Sequence, residues 1–305
     1  MLNRGLSGIR NDHIKGNFLG SIAVLMWGVL PLLRLMAGEI PPLQLTAMSL
    51  CMASAVTFLV YGHHRAPSQD QKYMCAKWEP VCSALFLLGA VVFYFAALAI
   101  GPAAEVTLVT YLWPLGLSGL LCFQRGCLPS MKMGMGVLLA FGGAALALIS
   151  GSKGFGWSGV SGHALQGYAL GLSSGLCWLG YSLMLKRLPP DLGLHAHIFA
   201  LAGLGSALLH VLLESTALNI SGVVLLASTI IGIGPYGLAF LAWGQGLRFG
   251  HPGLLSALCY TVPILATLVL VLAGMETWRP ELGVAALAVA SGAWMAAGGN
   301  PGLRS

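Results

Sequence analysis

Aromatic side chains recur at helical spacing within the long apolar runs of this 305-residue chain. Trp27 and Arg34 are seven residues apart, as are Tyr236 and Trp243, and this spacing places each pair on one face of a helix. Such rings stack on flat ligands and attract ammonium groups to their faces. The pattern therefore predicts contacts with a small amphipathic molecule.

The predicted substrate-binding residues are aromatics that lie deep in the apolar runs, where an N–H or O–H group needs a partner. They are Trp27, Tyr94, Tyr111, Trp113, Trp178, Tyr181, Tyr236, Trp243 and Tyr260. The alternative for each is plain packing. Tyr111 and Trp113 are about 200° apart on an ideal helix, so we expect only Trp113 to face a cavity.

Two charged residues accompany these aromatics. Glu105 is a candidate for proton coupling or for contact with an amino group, because an acid inside a membrane helix is a functional candidate. Its alternative role is a first-turn acid stabilised by the helix dipole. Arg34 could contact a substrate carboxylate, or extend outward to the membrane interface.

Two prolines interrupt apolar runs at related positions, Pro114 and Pro263. Each removes one backbone hydrogen bond and frees a carbonyl, so both helices should kink there. We predict that the two kinks act as hinges; a static kink is the alternative.

Other chemistry lacks the residues that it would need. The seven cysteines form no CxxC pair, and the histidines show no metal-binding spacing. A phosphate loop, a nucleotide motif and a nucleophile–base pair are also missing from the sequence. We therefore predict no catalytic residue, no metal, no cofactor and no enzymatic activity.

The elements that must position these residues are membrane helices. Charged residues make up only 8% of the chain and the mean hydropathy is +0.84, whereas a soluble domain carries about 25% charge. Runs of about 20 apolar residues span a bilayer as helices. The sequence thus predicts an all-α polytopic membrane protein. Its ten transmembrane helices are expected at 16–37, 42–62, 80–100, 103–123, 132–150, 164–185, 194–213, 221–246, 252–274 and 281–299.

The positions of lysine and arginine predict the orientation of these helices. With the N-terminus inside, twelve of the fifteen basic residues fall on the cytoplasmic side, and only Lys153 and Arg279 fall outside. Cytoplasmic loops are enriched in Lys and Arg, so both termini are predicted to be cytoplasmic.

The two halves of the chain share a pattern. Gly16, Gly20 and Trp27 match Gly167, Gly171 and Trp178 at an offset of 151 residues, and Tyr111–Pro114 matches Tyr260–Pro263 at an offset of 149. Because five helices are an odd number, the second half must enter the membrane with inverted orientation. We predict a 5+5 inverted repeat, 1–152 and 153–305, that together forms one membrane domain, as in many secondary transporters.

The segment EVTLVTYLWP, Glu105–Pro114, together with this architecture, resembles the drug/metabolite transporter superfamily of the EamA type. The resemblance implies a multi-pass protein of the bacterial inner membrane that exports neutral, preferably aromatic, amino acids and related metabolites by alternating access. Its expected partners are the small-molecule substrate and the lipid bilayer, without nucleic acid or an obligatory protein partner. A multidrug or other metabolite carrier of the same fold is the first alternative. A non-transporting scaffold or a membrane-embedded enzyme is the alternative from another class.

Overall fold

The computed structural model describes residues 2–63, 78–151, 162–189, 191–299 and 302–303. Almost all of these residues are helical. The helices are α1 (Leu2–Gly28), α2 (Leu30–Met36), α3 (Pro42–His63), α4 (Glu79–Ile100), α5 (Ala103–Thr110), α6 (Trp113–Gln124), α7 (Met131–Gly151), α8 (Gly162–Arg187), α9 (Leu192–Leu213), α10 (Gly222–Ile231), a π-helical segment (Gly232–Leu238), α11 (Ala239–Phe249), α12 (Pro252–Leu258), α13 (Thr261–Leu272) and α14 (Pro280–Ala297).

These helices form ten segments that are long and apolar enough to cross a membrane, which confirms the predicted fold class. The ten spans are Asn11–Met36, Pro42–Val60, Glu79–Ile100, Ala103–Gln124, Met131–Ser150, Gly162–Arg187, Leu192–Leu213, Gly222–Phe249, Pro252–Leu272 and Pro280–Ala297. Each coincides with a predicted helix, with ends that differ by a few residues.

Four of the ten spans are irregular, and each irregularity lies beside a proline. The first span breaks at Val29, the fourth at 111–112 and the ninth at 259–260. The eighth contains the π-helical turn around Pro235. A proline has no N–H to donate and its ring crowds the preceding turn, so the regular hydrogen-bond ladder cannot continue through it.

The most extensive helix contacts join a span of the first half to a span of the second half. The fifth span packs on the tenth, the third on the sixth, the second on the seventh and the first on the eighth. Exchanging the two halves maps this set of pairs onto itself. Such an exchange is what a repeat of five spans would produce, and the repeat itself stays a prediction.

Glycines allow the backbones of the two halves to approach closely. A Cβ on Gly16 would lie 2.4 Å from the nitrogen of Gly250, and a Cβ on Gly167 would lie 2.8 Å from the Cα of Gly101. Exchange of the halves relates these two contacts as well. The glycine pairs of the sequence thus serve helix packing, where small residues permit close contact.

A short two-stranded sheet joins the loop after the fourth span to the C-terminal segment. Strand β1 (Cys127–Leu128) pairs antiparallel with β2 (Gly302–Leu303). The chain end and this loop thus lie at the same end of the helix bundle. The basic residues Arg65, Lys72, Lys77, Lys153 and Arg304, and the predicted 152–153 boundary between the halves, lie outside the described residues.

The contact between the fifth and tenth spans generates a stability prediction. A Cβ on Gly136 would lie 2.5 Å from the Ala296 nitrogen, so Gly136→Ala must push two backbones apart. We expect a loss of about 1–3 kcal/mol, the usual cost of overpacking. Circular dichroism during heating in detergent measures the thermal unfolding midpoint.

The matched control for this substitution is Gly134→Ala in the same helix. A Cβ at Gly134 meets nothing within 4 Å. This variant should be neutral or slightly stabilising, because alanine is the better helix former. Equal midpoints for the two variants would contradict the proposed backbone contact.

Candidate functional site

A cavity of about 470 Å³ lies between the two halves, within the size range of small-molecule sites. Seven of the ten spans contribute to its wall, namely the first, second, third, fourth, sixth, eighth and ninth. All four spans that are irregular beside a proline are among them. The fifth, seventh and tenth spans pack outside this ring.

Most of the aromatic residues predicted from the sequence line this cavity. They are Trp27, Tyr94, Tyr111, Trp113, Trp178, Tyr181, Tyr236 and Trp243. Arg34 lines it too. The structure does not bring Glu105 or Tyr260 to the cavity wall, and the hinge candidates Pro114 and Pro263 are buried behind it.

Tyr111 and Trp113 both line the cavity, so the expectation that only Trp113 does so was wrong. The argument from an ideal helix fails because the fourth span breaks at 111–112. The backbone N–H of Leu112 bonds to the carbonyl of Val109, three residues back, instead of continuing the α-helical pattern. The break changes the angle between the two side chains.

Tyr260 is excluded from the cavity by the corresponding break in the ninth span. Its side chain is fully buried and packs edge-on against Phe141, with ring centroids 5.6 Å apart, and beside Tyr111 at 6.5 Å. Its neighbour Cys259 lines the cavity instead. The binding role predicted for Tyr260 is therefore replaced by packing behind Tyr111.

Phe240 is the centre of the aromatic wall. Its ring stacks on Tyr236 with centroids 5.7 Å apart and planes 10° apart, and it meets the Tyr181 ring edge-on at 5.2 Å. Trp27 and Trp178 each lie 5.9 Å from it. These arrangements are the favourable geometries for aromatic pairs. The wall is thus a set of mutually positioned rings.

Hydrogen bonds hold the polar tips of two of the deep rings, Trp27 and Trp243. Trp243 Nε1 donates to Ser182 Oγ at 3.1 Å. Trp27 Nε1 donates at 2.9 Å to the carbonyl of Pro235, in the π-helical segment. Because each bond crosses between spans, these two rings are fixed in orientation.

Arg34 is the single charged side chain among the described residues that line the cavity. Its Nη1 donates to the Gly38 carbonyl at 2.7 Å and its Nη2 donates to the Ile40 carbonyl at 3.0 Å. A guanidinium group has five N–H donors, so donors remain for a ligand. The cavity is therefore electropositive and suited to a carboxylate.

Glu105 occupies the first turn of α5 and accepts a hydrogen bond from the Tyr168 hydroxyl. This contact joins the fourth span to the sixth, outside the cavity. The sequence analysis gave Glu105 two possible roles. Its position at a helix N-terminus agrees with the second, a first-turn acid that the helix dipole stabilises.

Several lining residues carried no signal in the sequence. The second span contributes Pro42, Leu45 and Thr46, which are unremarkable in an apolar helix. Phe240 and Ser182 could have been found, because Phe240 lies on one helix face with Tyr236 and Ser182 is adjacent to Tyr181.

The cavity extends from the middle of the bundle toward Arg34, and we call that end the open end. At the other end, hydrogen bonds tie the first half to the second. Asn17 Oδ1 accepts from the backbone N–H of His251 at 2.7 Å, and Arg125 Nη2 donates to the Gly250 carbonyl at 3.0 Å. We call this the closed end.

Further contacts reinforce the closed end. Lys186 Nζ donates to Gln124 Oε1 at 2.8 Å, and the leucines on either side of this region, Leu185 and Leu188, are fully buried. The Nδ1 atom of His251 accepts from the Leu254 N–H at 3.3 Å, which requires that this nitrogen be unprotonated. Burial, with Arg125 nearby, lowers the pKa of the His251 ring below its usual value and so favours this capping form.

Comparison with known proteins identifies the family of this fold. The EamA-like transporter family model matches residues 14–149. The aromatic amino acid exporter YddG of Ancylobacter novellus is 31% identical over 288 residues, which cover 92% of this chain and 96% of that protein. The chain belongs to the EamA-like transporter family.

A solved crystal structure of a protein that is 30% identical supports the same fold for this EamA-like transporter. The TM-score is 0.83, and the match covers 92% of this chain and 96% of the other. With ten apolar spans, the EamA-like transporter is a multi-pass membrane protein. Its central cavity is lined from both halves of the chain.

The bond from Trp27 to the Pro235 carbonyl generates a second stability prediction. Trp27→Phe keeps a ring but removes the donor, leaving a carbonyl of the π-helical segment without that partner. We expect destabilisation by about 1–3 kcal/mol, the cost of an unsatisfied buried acceptor. Scanning calorimetry in detergent measures it without relying on tryptophan fluorescence.

Trp278→Phe is the control, because Trp278 is 58% exposed and lies in a loop. It should leave the unfolding midpoint within about 1 °C, as surface changes usually do. If Trp27→Phe behaves in the same way, the hydrogen bond does not stabilise the eighth span.

Proposed function

We propose that this EamA-like transporter exports neutral amino acids, preferably aromatic ones, and related metabolites across the bacterial inner membrane. The observation that carries the proposal is the aromatic cavity between the halves, in which Arg34 is the single charge among the described lining residues. The name of the 31%-identical relative, aromatic amino acid exporter, indicates the same class of substrate.

The chemistry of the cavity matches the parts of such a substrate. A carboxylate binds a guanidinium group through charge-assisted hydrogen bonds, and Arg34 retains donors for them. The apolar or aromatic side chain fits among the rings around Phe240. The ammonium group finds ring faces, which attract cations. A cationic drug without a carboxylate gains nothing from Arg34 and is repelled by it.

Transport by alternating access requires that the closed end open while the open end closes. Among the described residues, the hydrogen bonds that must break at the closed end are those of Asn17 with His251, Arg125 with Gly250 and Lys186 with Gln124. The breaks beside Pro114 and Pro263 lie in the fourth and ninth spans, where a change of kink angle moves one half against the other. We propose these breaks as the hinges.

The proposed topology places the closed end in the cytoplasm. Arg125, Lys186 and Arg248 lie at this end, and the sheet between β1 and β2 brings the C-terminal segment there. Basic residues favour the cytoplasmic side. The inverted repeat, 1–152 and 153–305, is part of the same proposal, and the residues matched by the family model fall within its first half. The cavity then faces the periplasm.

Flux in proteoliposomes tests the proposed function directly. We expect uptake of labelled phenylalanine, weaker uptake of threonine, and no uptake of a cationic drug. Because the described residues lining the cavity include no acid, phenylalanine flux should be the same with and without a pH gradient. Absence of flux for every amino acid, or flux of the drug alone, would contradict the proposal.

A substitution in the aromatic wall tests the site independently of the fold. Trp113→Ala should lower the affinity for phenylalanine by about two- to tenfold, the usual worth of one aromatic contact. Trp278→Ala, at an exposed loop position, should leave it unchanged. The half-saturation concentration of flux measures the effect. Equal affinities in both variants would remove Trp113 from the site.

Arg34→Gln tests the carboxylate contact. Loss of a hydrogen bond to a charged group corresponds to about a 10- to 100-fold weaker affinity for phenylalanine. Phenylalaninamide, which has no carboxylate, should bind the variant as well as it binds the parent. Ligand-induced thermal stabilisation measures both affinities. If both ligands weaken equally, Arg34 acts only through its bonds to the Gly38 and Ile40 carbonyls.

A further inference from the structure

A second cavity, of about 320 Å³, lies on the side of the bundle toward the closed end, and we call it the lateral crevice. Spans one, six, seven and eight contribute to it, separately from the central cavity. Its lining residues are Leu19, Leu185, Leu188, Leu192, His195, Leu238, Leu241, Ala242, Gly244 and Gln245. Apart from His195 and Gln245, the walls are apolar.

The lateral crevice meets the lipid-facing surface. Leu238, the lining residue of the eighth span farthest from the closed end, is 52% exposed. Phe18, beside the lining residue Leu19, is 63% exposed. From Leu238 to Gln245 the crevice follows the eighth span for about 10 Å, at 1.5 Å per residue. An apolar groove of this length, parallel to a membrane helix, matches the shape of part of an acyl chain.

Two basic residues, Arg187 and Arg248, lie near the end of the crevice where the eighth span ends. Arg248 lies one turn beyond the lining residue Gly244, and its Nε donates to the Lys186 carbonyl at 3.1 Å. Arg187 is exposed, and it follows Lys186 between the lining residues Leu185 and Leu188 in the sequence.

An acid, Asp191, lies next to the lining residue Leu192 in the sequence. Asp191 caps the seventh span, where its Oδ1 accepts from the backbone N–H of Gly193 at 2.7 Å. Its carboxylate is therefore partly occupied by helix donors. The two cations Arg187 and Arg248 outnumber Asp191, so this end of the crevice carries a positive charge where a lipid phosphate would lie.

We propose that the lateral crevice binds an anionic phospholipid. One acyl chain lies along the eighth span between Leu238 and Gln245, and the phosphate lies against Arg187 and Arg248. Basic pockets between membrane helices are recognised sites for anionic headgroups, and each cation near the surface adds attraction. The Gln245 amide, one turn from Arg248, supplies a donor for an ester carbonyl. The site is separate from the central cavity and does not depend on which substrate is transported.

Native mass spectrometry of the delipidated full chain tests the proposal. Phosphatidylglycerol and phosphatidylcholine with identical acyl chains are added separately, and the bound fraction is compared. We expect tighter binding of phosphatidylglycerol, and Arg187→Gln and Arg248→Gln should each weaken it about fivefold, equivalent to ~1 kcal/mol per cation. Phosphatidylcholine binding should change by less than twofold.

Two controls separate this site from general attraction to a basic protein. Lys132→Gln removes a cation that lies over Trp294, away from the crevice, and should leave phosphatidylglycerol binding unchanged. Ala242→Phe fills the crevice and should weaken both lipids, whereas Ala290→Phe, on an exposed face of the tenth span, should weaken neither.

The outcomes decide the proposal even if one variant folds poorly, because Arg187 is exposed and its replacement leaves the packing intact. Equal binding of the two lipids by the parent chain would overturn the headgroup contact. An equal loss in Lys132→Gln and Arg187→Gln would show diffuse electrostatic attraction and overturn the site. Unchanged binding in Ala242→Phe would overturn the place of the acyl chain.

Discussion

The structure depends on one constraint of the bilayer: every backbone N–H and C=O group must find a partner within the protein. Prolines break that rule in the first, fourth, eighth and ninth spans, and all four spans line the central cavity. Side chains then satisfy some of the backbone groups near the breaks. Trp27 donates to the Pro235 carbonyl, and the Thr261 hydroxyl donates to the Leu258 carbonyl at 2.7 Å, beside the break at 259–260. The irregular backbone of the described spans is therefore found beside the central cavity.

The hydrogen bonds that satisfy this constraint also shape the cavity. A tryptophan whose N–H donates a hydrogen bond cannot rotate freely, so the rings of Trp27 and Trp243 are fixed in orientation. Phe240, without a polar group, fills the space among them and sets the distances between rings. Arg34 is held by two carbonyls beyond the end of its helix. A preorganised site of this kind loses little entropy when a ligand binds.

Much of this architecture follows from the sequence, because membrane spans have a strong signal in length and hydropathy. The deep aromatics were also predictable, since a polar tip in an apolar run needs a reason. Helical periodicity failed where the helices break. It separated Tyr111 from Trp113, although both line the cavity. Tyr260 was predicted to bind because it is a deep aromatic, whereas the break at 259–260 brings Cys259 to the wall. The second span was missed because Thr46 and Leu45 differ in no way from ordinary membrane-helix residues.

The two halves are not identical, and this difference has an energetic consequence. Under the proposed repeat, a perfectly symmetric chain would have inward- and outward-facing forms of equal free energy, populated equally in a symmetric environment. The breaks in the fourth and ninth spans correspond to each other, but the break at Val29 and the π-helical turn at Pro235 have no counterpart in the sixth and third spans. Under the proposed alternating access, those unmatched features give the two forms different free energies, and this difference sets how much substrate binding must contribute to reverse the resting population.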